Sequence, residues 1–569
     1  MNGPVAPKDP EKKRPYFYIM RDKEVFGAKQ ESGKGVQFIY EDNGRLINSA
    51  QIAGNITDEA TLDLLKTTAG FRKLVHSIGV SAQTENPNEA LEFVFQMYGK
   101  TDVYGSGTNI RAKLTGNGME TRIHLNEIAW SAEDNVPGQI RFEFDTPELL
   151  ANVSVRFYLN DGFTAPEPIE DQAIDFASGD YKKMIARSLL QLGNTARLKK
   201  AAAKAQRGED VTIAFIGGSI TQGAGATPIN TESYAYQFYR RFAETYGTGS
   251  NVHLIKAGVG GTPSELGMIR FERDVLRDGS VKPDLVVIEF AVNDEGDETK
   301  GICYESLVRK ALKLPEQPAV ILLFCVFAHD WNLQERLSPV GKLYHLPMVS
   351  ILDAVSPQFP LKPGEGRVLS KNQFFYDVFH PSNTGHLIMA DCLAYLVKQA
   401  VAQKKTEADQ TEALLQQKPV LGGTYEDVRL LDRKDNFIGA KIDCGSFAEH
   451  DDDLQCVEQD DHLETTPEFP YNWCHTGTET NNDAFRLQLT CKALLLVYKD
   501  SGETNAGQAD VFVDGKKVMT VNPRTIGWTH CNPLILFHEE TAKAHTVELR
   551  MVETDRSKKF TILGFGYVK

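Results

Sequence analysis

Four short stretches of this sequence carry residues whose types and spacing suit acyl transfer through a serine. Gly217-Gly218-Ser219-Ile220-Thr221 follows the apolar run Val211–Ile216 and leaves a hydroxyl on a turn that glycine permits. Lys256-Ala257-Gly258-Val259-Gly260-Gly261-Thr262 follows a second run, with small residues that expose backbone N–H groups. Glu289-Phe290-Ala291-Val292-Asn293-Asp294 ends a third and presents a carboxamide. In Phe375-Tyr376-Asp377-Val378-Phe379-His380-Pro381 an Asp precedes a His by three positions, so both can project from one turn. A hydroxyl nucleophile needs a base to take its proton and donors to hold the charge that develops on the carbonyl oxygen. Asp377 can fix the imidazole tautomer and stabilise the imidazolium, while the other ring nitrogen of His380 faces Ser219.

Each residue has a plainer reading. A glycine-flanked Ser after a strand is often a turn or a phosphate cradle, but no Gly-x-x-x-x-Gly-Lys-Ser/Thr is present, and Gly223-Ala-Gly225-Ala-Thr227 completes no dinucleotide fingerprint. A Gly-x-Ser-x-Gly elbow would need Gly at 221, where Thr stands. His386 competes with His380 as base, but its place inside a helix takes it away from the strand ends, where it reads as solvent-facing or capped. Asp377 could be a helix N-terminal charge, Asp294 structural and Asp353 a loop residue. Trp331, just past the fourth apolar run, reads equally as a sugar-stacking platform or as packing.

The elements that must position these residues follow from the hydrophobic pattern. Near-continuous apolar runs at Val211–Ile216, Val252–Ile255, Leu285–Phe290, Ala319–Phe327 and Leu346–Ile351 alternate with helical stretches at Ser233–Tyr246, Ser264–Leu276 and Tyr304–Leu312. They predict a doubly wound, five-stranded parallel sheet over residues 210–403. A last helix starts near Asn383. In the flavodoxin-like order 2-1-3-4-5, the first three strand ends face one crevice. Residues 14–165 alternate with period two, as in Val153, Val155, Phe157 and Leu159, and predict a jelly-roll-like β-sandwich with one helix at about Ala60–His76. A polar helix from about Tyr181 to Gln206 predicts a helical connector over 166–209. Beyond a polar linker, residues 420–569 predict a second sandwich, with Asp514-Gly515 as a hairpin turn.

At these four blocks the sequence resembles the SGNH (GDSL-like) hydrolase superfamily: Gly218-Ser219, Gly258–Gly261, Asn293-Asp294 and Asp377-x-x-His380-Pro381. The resemblance covers about residues 210–400. It implies Ser219 as nucleophile, His380 as base and Asp377 as its orienter. The implied oxyanion hole is formed by the N–H groups of Ser219 and Gly261 with the side chain of Asn293, Gly258 and Gly260 being the neighbouring alternatives to Gly261. Lys256 stands where the family usually has Asn, and Ala291 where it has Gly. The Ser motif is Gly-Gly-Ser-Ile-Thr rather than Gly-Asp-Ser.

Bulk composition agrees with this class of chemistry. The chain has 569 residues, too many for one core, and a formal net charge of -15, which disfavours a nucleic-acid partner. No apolar stretch suggests a membrane partner, and the N-terminus lacks the apolar core of a signal peptide, so a cytoplasmic protein is expected unless a leader has been removed. The eight Cys show no zinc spacing and read as reduced thiols; no cofactor or metal is expected. A catalytic α/β domain between two sandwiches resembles carbohydrate esterases. The predicted function is removal of O-acetyl groups from oligosaccharides or polysaccharides such as mannan or xylan. A lipase or thioesterase, and a catalytically silent glycan-binding protein, are the alternatives. Residues 108–114, Trp473 and Trp528 could supply sugar-binding surface or simply fill a core.

Overall fold

A computed structural model describes residues 13–405, 407–434, 439–478 and 482–569. The N-terminal stretch that bears on a leader therefore lies largely outside the described residues. The chain forms two compact units, one of residues up to Asp175 together with Gln358–Gly385, the other of Phe176–Pro357 and His386–Lys569. Among the described residues no helix is long and apolar enough to cross a membrane.

The first unit is built from two antiparallel sheets. One orders Tyr16–Phe26, Leu150–Leu159, Val75–Thr84 and Thr121–His124; the other orders Ala28–Lys29, Gly35–Tyr40, Asp134–Phe144, Ala90–Gly99 and Asn109–Thr115. Alternate side chains from both sheets, including Phe157 from the first and Phe95 and Phe142 from the second, enter a common core. Tyr376, from the returning segment 358–385, packs against that core. The single helix expected at Ala60–His76 is two, Glu59–Leu64 and Thr68–Leu74. Thr67 starts the second by accepting from Gly70 N–H, and Gly70 sits so close to Leu64 that a Cβ would lie 2.3 Å from its carbonyl oxygen.

In the second unit five parallel strands are β1 (Val211–Gly217), β2 (Val252–Gly258), β3 (Leu285–Glu289), β4 (Ala319–Phe324) and β5 (Met348–Ser350), in the order β2-β1-β3-β4-β5. The expectation of a purely parallel five-stranded sheet needs correction. A sixth strand, Leu189–Gln191, adds antiparallel to β5, so the sheet is mixed. That strand interrupts the expected connector helix, which is instead Gly179–Arg187 and Ala196–Gln206. Between them Gly193, at φ 62°, passes so near His345 that a side chain would strike its carbonyl oxygen.

Helices cover both faces of this sheet, which explains why β3 is buried along its whole length. Within the same unit the C-terminal strands form an antiparallel sheet led by Phe485–Asp500, His530–Met551 and Phe560–Val568. Its Ala493, Leu495, Val497 and Leu563 share one core with Ile269 and Phe271 of α1 (Ser264–Asp274), the helix that follows β2. All eight cysteines are free thiols, six of them buried.

Candidate active site

The strand order reverses between β1 and β3, so a crevice is expected at their carboxyl ends. Ser219 opens a single helical turn, Ser219–Gln222, directly after β1. The turn is anchored from below. Thr221 Oγ1 donates to buried Glu289 Oε2 at the end of β3 (3.0 Å) and pairs with Tyr234 Oη (2.8 Å). Arg270, fully buried, donates to the carbonyls of Gly217 (2.9 Å) and Ala257 (2.8 Å), tying the end of β1 to that of β2. Gly218 permits a close approach here: a Cβ on it would lie 2.6 Å from Cγ of Asn293. Asn293 thus packs its carboxamide against the backbone immediately before Ser219. Its neighbour Asp294 accepts from Ser264 N–H (2.8 Å) and Oγ (2.7 Å), fixing the Asn293 turn to the start of α1. Burial pushes the Asp294 carboxyl up to about 7, against the lowering effect of those bonds.

The loop after β2 lies beside this turn. A Cβ on Gly260 would be 3.7 Å from Ser219 Cβ. Val259 N–H donates to Gly217 (3.1 Å), Gly260 N–H to Gln222 Oε1 (3.0 Å) and Thr262 N–H to Val259 (3.4 Å). Among the described residues the N–H of Gly261, at φ 72°, has no acceptor within the protein. The carbonyls of this loop are held from the C-terminal sheet region. Gln455 Nε2 donates to Gly260 O (2.8 Å), and His530 Nε2 to Gly261 O (3.0 Å). Burial lowers the His530 pKa, so the ring stays neutral with its proton on the nitrogen that donates. Trp528 stands over Gly261 with its ring half exposed, edge-to-face with His530 at 4.6 Å between centroids.

The Asp377–His380 pair belongs to the first unit. His380 Nδ1 lies 2.9 Å from Asp377 Oδ2, and Asp377 Oδ1 accepts the N–H groups of Phe379 and His380, both at 2.8 Å. Burial pushes the Asp377 carboxyl up, but the charge and hydrogen bond of His380 outweigh it, with the two N–H groups, and hold it below the usual carboxylate range. A buried Lys23 secures the loop from the strand Tyr16–Phe26, donating to the carbonyls of Asn372 (2.6 Å) and Phe375. Burial brings this ammonium down to about 8, against the pull of Asp171 and Asp377.

His386 is not solvent-facing: it is fully buried and committed at both nitrogens. Nδ1 accepts from Tyr234 N–H (3.1 Å), which places the proton on Nε2 facing Ala224 O (3.1 Å). Asp353 lies in the helix Ile351–Val355 rather than a loop and accepts from Gln334. Trp331 is partly buried and stacks on Phe327 at 5.8 Å. Trp473 fills the core of the C-terminal sheet, with 2% exposure, unlike Trp528. Gln222, Gln455 and His530 were not singled out in the sequence; none has a local pattern that marks it.

Residues 215–388 match the GDSL-like lipase/acylhydrolase family. Two solved structures are similar to the chain, both of a two-domain esterase active on acetylated mannans. The first has 27% identity and a TM-score of 0.55, covering 68% of this chain and 99% of its own. The second, co-crystallized with mannopentaose, has 26% identity and a TM-score of 0.55, covering 68% of this chain and 98% of its own. No curated protein matches the sequence.

Proposed function

We propose that this chain, a carboxylic ester hydrolase with a GDSL-like acylhydrolase segment at residues 215–388, removes O-acetyl groups from mannan-type oligosaccharides or polysaccharides. The observation that carries the reading is the grouping of Ser219, Asn293 and the Gly261 amide at the carboxyl ends of β1, β3 and β2, in a chain similar to esterases active on acetylated mannans.

In this reading Ser219 Oγ attacks the acetyl carbonyl carbon while His380 Nε2 takes the hydroxyl proton. The negative charge formed on the carbonyl oxygen is held by the N–H groups of Ser219 and Gly261 and by the Asn293 carboxamide. Collapse breaks the bond to the sugar oxygen, which leaves with the proton from His380. Water then attacks the acetyl-Ser219 ester, again with His380 as base, and acetate departs. Asp377 keeps the imidazole in the tautomer this cycle needs.

Ser219→Ala should abolish acetate release from acetylated mannan oligosaccharides and from p-nitrophenyl acetate, and should abolish labelling by a fluorophosphonate. Wild-type turnover in that variant removes the mechanism. Preference for long-chain acyl esters over acetate would instead favour a lipase.

A further inference from the structure

The loop between Gly99 and Asn109 in the first unit is built around an aromatic ring that it does not bury. Tyr104 is 63% exposed, yet its backbone is fastened on both sides. Asp102 Oδ1 accepts from Tyr104 N–H (3.1 Å) and Gly105 N–H (3.0 Å). Gln96 Nε2 donates to Tyr104 O (2.7 Å), and Gln96 is itself oriented by Gln139 (2.7 Å) and Arg141 (2.9 Å) through its Oε1. Gly105 and Gly107 admit no side chain, a Cβ falling 2.2 Å from Asp102 Oδ2 and 2.0 Å from Met97 O respectively. A loop so tightly fixed, with its largest apolar group turned to water, presents that group rather than packing it.

The ring is one of a series. Tyr104 meets Tyr98 edge-to-face at 5.4 Å between centroids, and Asp42 pairs with the Arg45 guanidinium at 3.7 Å. Tyr40, 48% exposed, lies under the Arg45 guanidinium at 5.9 Å. The same guanidinium lies 5.7 Å from the Phe379 ring, and Phe379 lies 6.3 Å from the His380 ring. The two exposed rings, Tyr104 and Tyr40, thus stand with a carboxylate and a guanidinium in a series that continues through Phe379 to the imidazole assigned as base.

A pyranose has the complementary surface: apolar C–H faces that rest on aromatic rings, and an equatorial edge of hydroxyls that bond charged groups. An acyl chain would not call for charges between the rings. We propose that Tyr40, Tyr104, Arg45 and Asp42 form a glycan subsite on the N-terminal unit, holding sugar residues of the chain that flank the acetylated one. The choice of glycan as occupant rests on the acetylesterase reading. The subsite gives the N-terminal unit a share in substrate binding besides its hold on the Asp377–His380 loop.

The test is calorimetric titration of the full-length Ser219→Ala protein, which cannot turn the ligand over, with unsubstituted and acetylated mannan oligosaccharides from disaccharide to hexasaccharide. Affinity is expected to rise with length. Tyr104→Ala and Tyr40→Ala should each cut hexasaccharide affinity about tenfold and remove the gain with length, whereas Tyr104→Trp should retain it. In proteins with Ser219 intact, the same alanine variants should lower the ratio of kcat/KM on the hexasaccharide to that on a monosaccharide acetate. Unchanged hexasaccharide affinity in the double alanine variant, or no dependence on length in the parent, overturns the subsite. Acetate release surviving in Ser219→Ala would instead overturn the catalytic reading, and length-dependent binding through Tyr104 would still stand.

Discussion

Gln455 Nε2 donates to the carbonyl oxygen of Gly260 at 2.8 Å, and that carbonyl shares its peptide plane with the N–H of Gly261. Because the peptide is planar and trans, holding the oxygen on one side aims the hydrogen to the other. The Gln455 amide has a fixed sense: its Oε1 accepts from Cys531 N–H at 2.9 Å, so only the NH2 can face Gly260. Gln455→Glu keeps the acceptor for Cys531 but sets a carboxylate oxygen against the Gly260 carbonyl. The expected result is a kcat about 10–10²-fold lower with KM little changed. The deficit relative to wild type at the same pH should shrink as pH falls and the new carboxyl protonates, since it then donates in place of the amide. A variant kcat equal to that of the wild type at every pH would show that Gln455 does not set the oxyanion amide.

Gly218 carries the same dependence at the other donor. A methyl there would sit 2.4 Å from Asn293 Oδ1 and 2.6 Å from its Nδ2, so the carboxamide must move. Gly218→Ala should lower kcat about 10²-fold, approaching the about 10²–10³-fold expected of Asn293→Ala. The double variant should be no slower than the slower single, because both remove one donor. Full additivity in steady-state kinetics would separate the two residues.

The parts of this site that are legible in the sequence are local. Gly218-Ser219 and Asp377-x-x-His380 are written within single turns, and the order of the parallel strands follows from apolar runs long enough to show themselves. The edge strand Leu189–Gln191 has only three residues, too few for a period, and sits between two helices of ordinary composition. Gln455 and His530 act through side chains brought from some 200 positions or more away in the chain to the backbone they hold. Nothing in their own neighbourhoods records that. Trp528 differs from Trp473 in a way its context does carry: it follows Thr525-Ile526-Gly527, a turn, whereas Trp473 lies in a strand paired to Ile562. The turn was the available sign of exposure.

Glu41 gives the first unit a pH signature. Burial pushes its carboxyl up to about 8, although Ser49 Oγ donates to it at 2.9 Å. An acid whose folded pKa is raised contributes its stability in full below its unfolded value, about 4.5, and loses it as pH climbs to about 8, because only the unfolded chain ionises over that span. Glu41→Gln cannot ionise. Thermal unfolding from about pH 5 to about pH 8 should therefore show a smaller loss of stability in the variant, by on the order of 1–3 kcal/mol. Parallel curves for the two proteins would mean that Glu41 is ionised in the fold.

Trp528 tests whether the C-terminal sheet region touches substrate as well as shaping the loop. Its indole is 46% exposed, and its ring edge reaches within 2.9 Å of where a Gly261 side chain would begin, so the indole borders the loop that carries the proposed oxyanion amide. Leu and Ile side chains in such a place would shed water without offering a flat surface; an indole offers both an apolar face and an N–H edge. Trp528→Ala should raise KM for acetylated mannan oligosaccharides about 5–10-fold with a smaller change in kcat, and Trp528→Phe should fall between the two. The split decides the role, because His530, and not the indole, makes the hydrogen bond to the Gly261 carbonyl, while the indole reaches the loop by packing on that imidazole. If kcat falls instead while KM stays constant, Trp528 braces the loop and the sugar lies elsewhere.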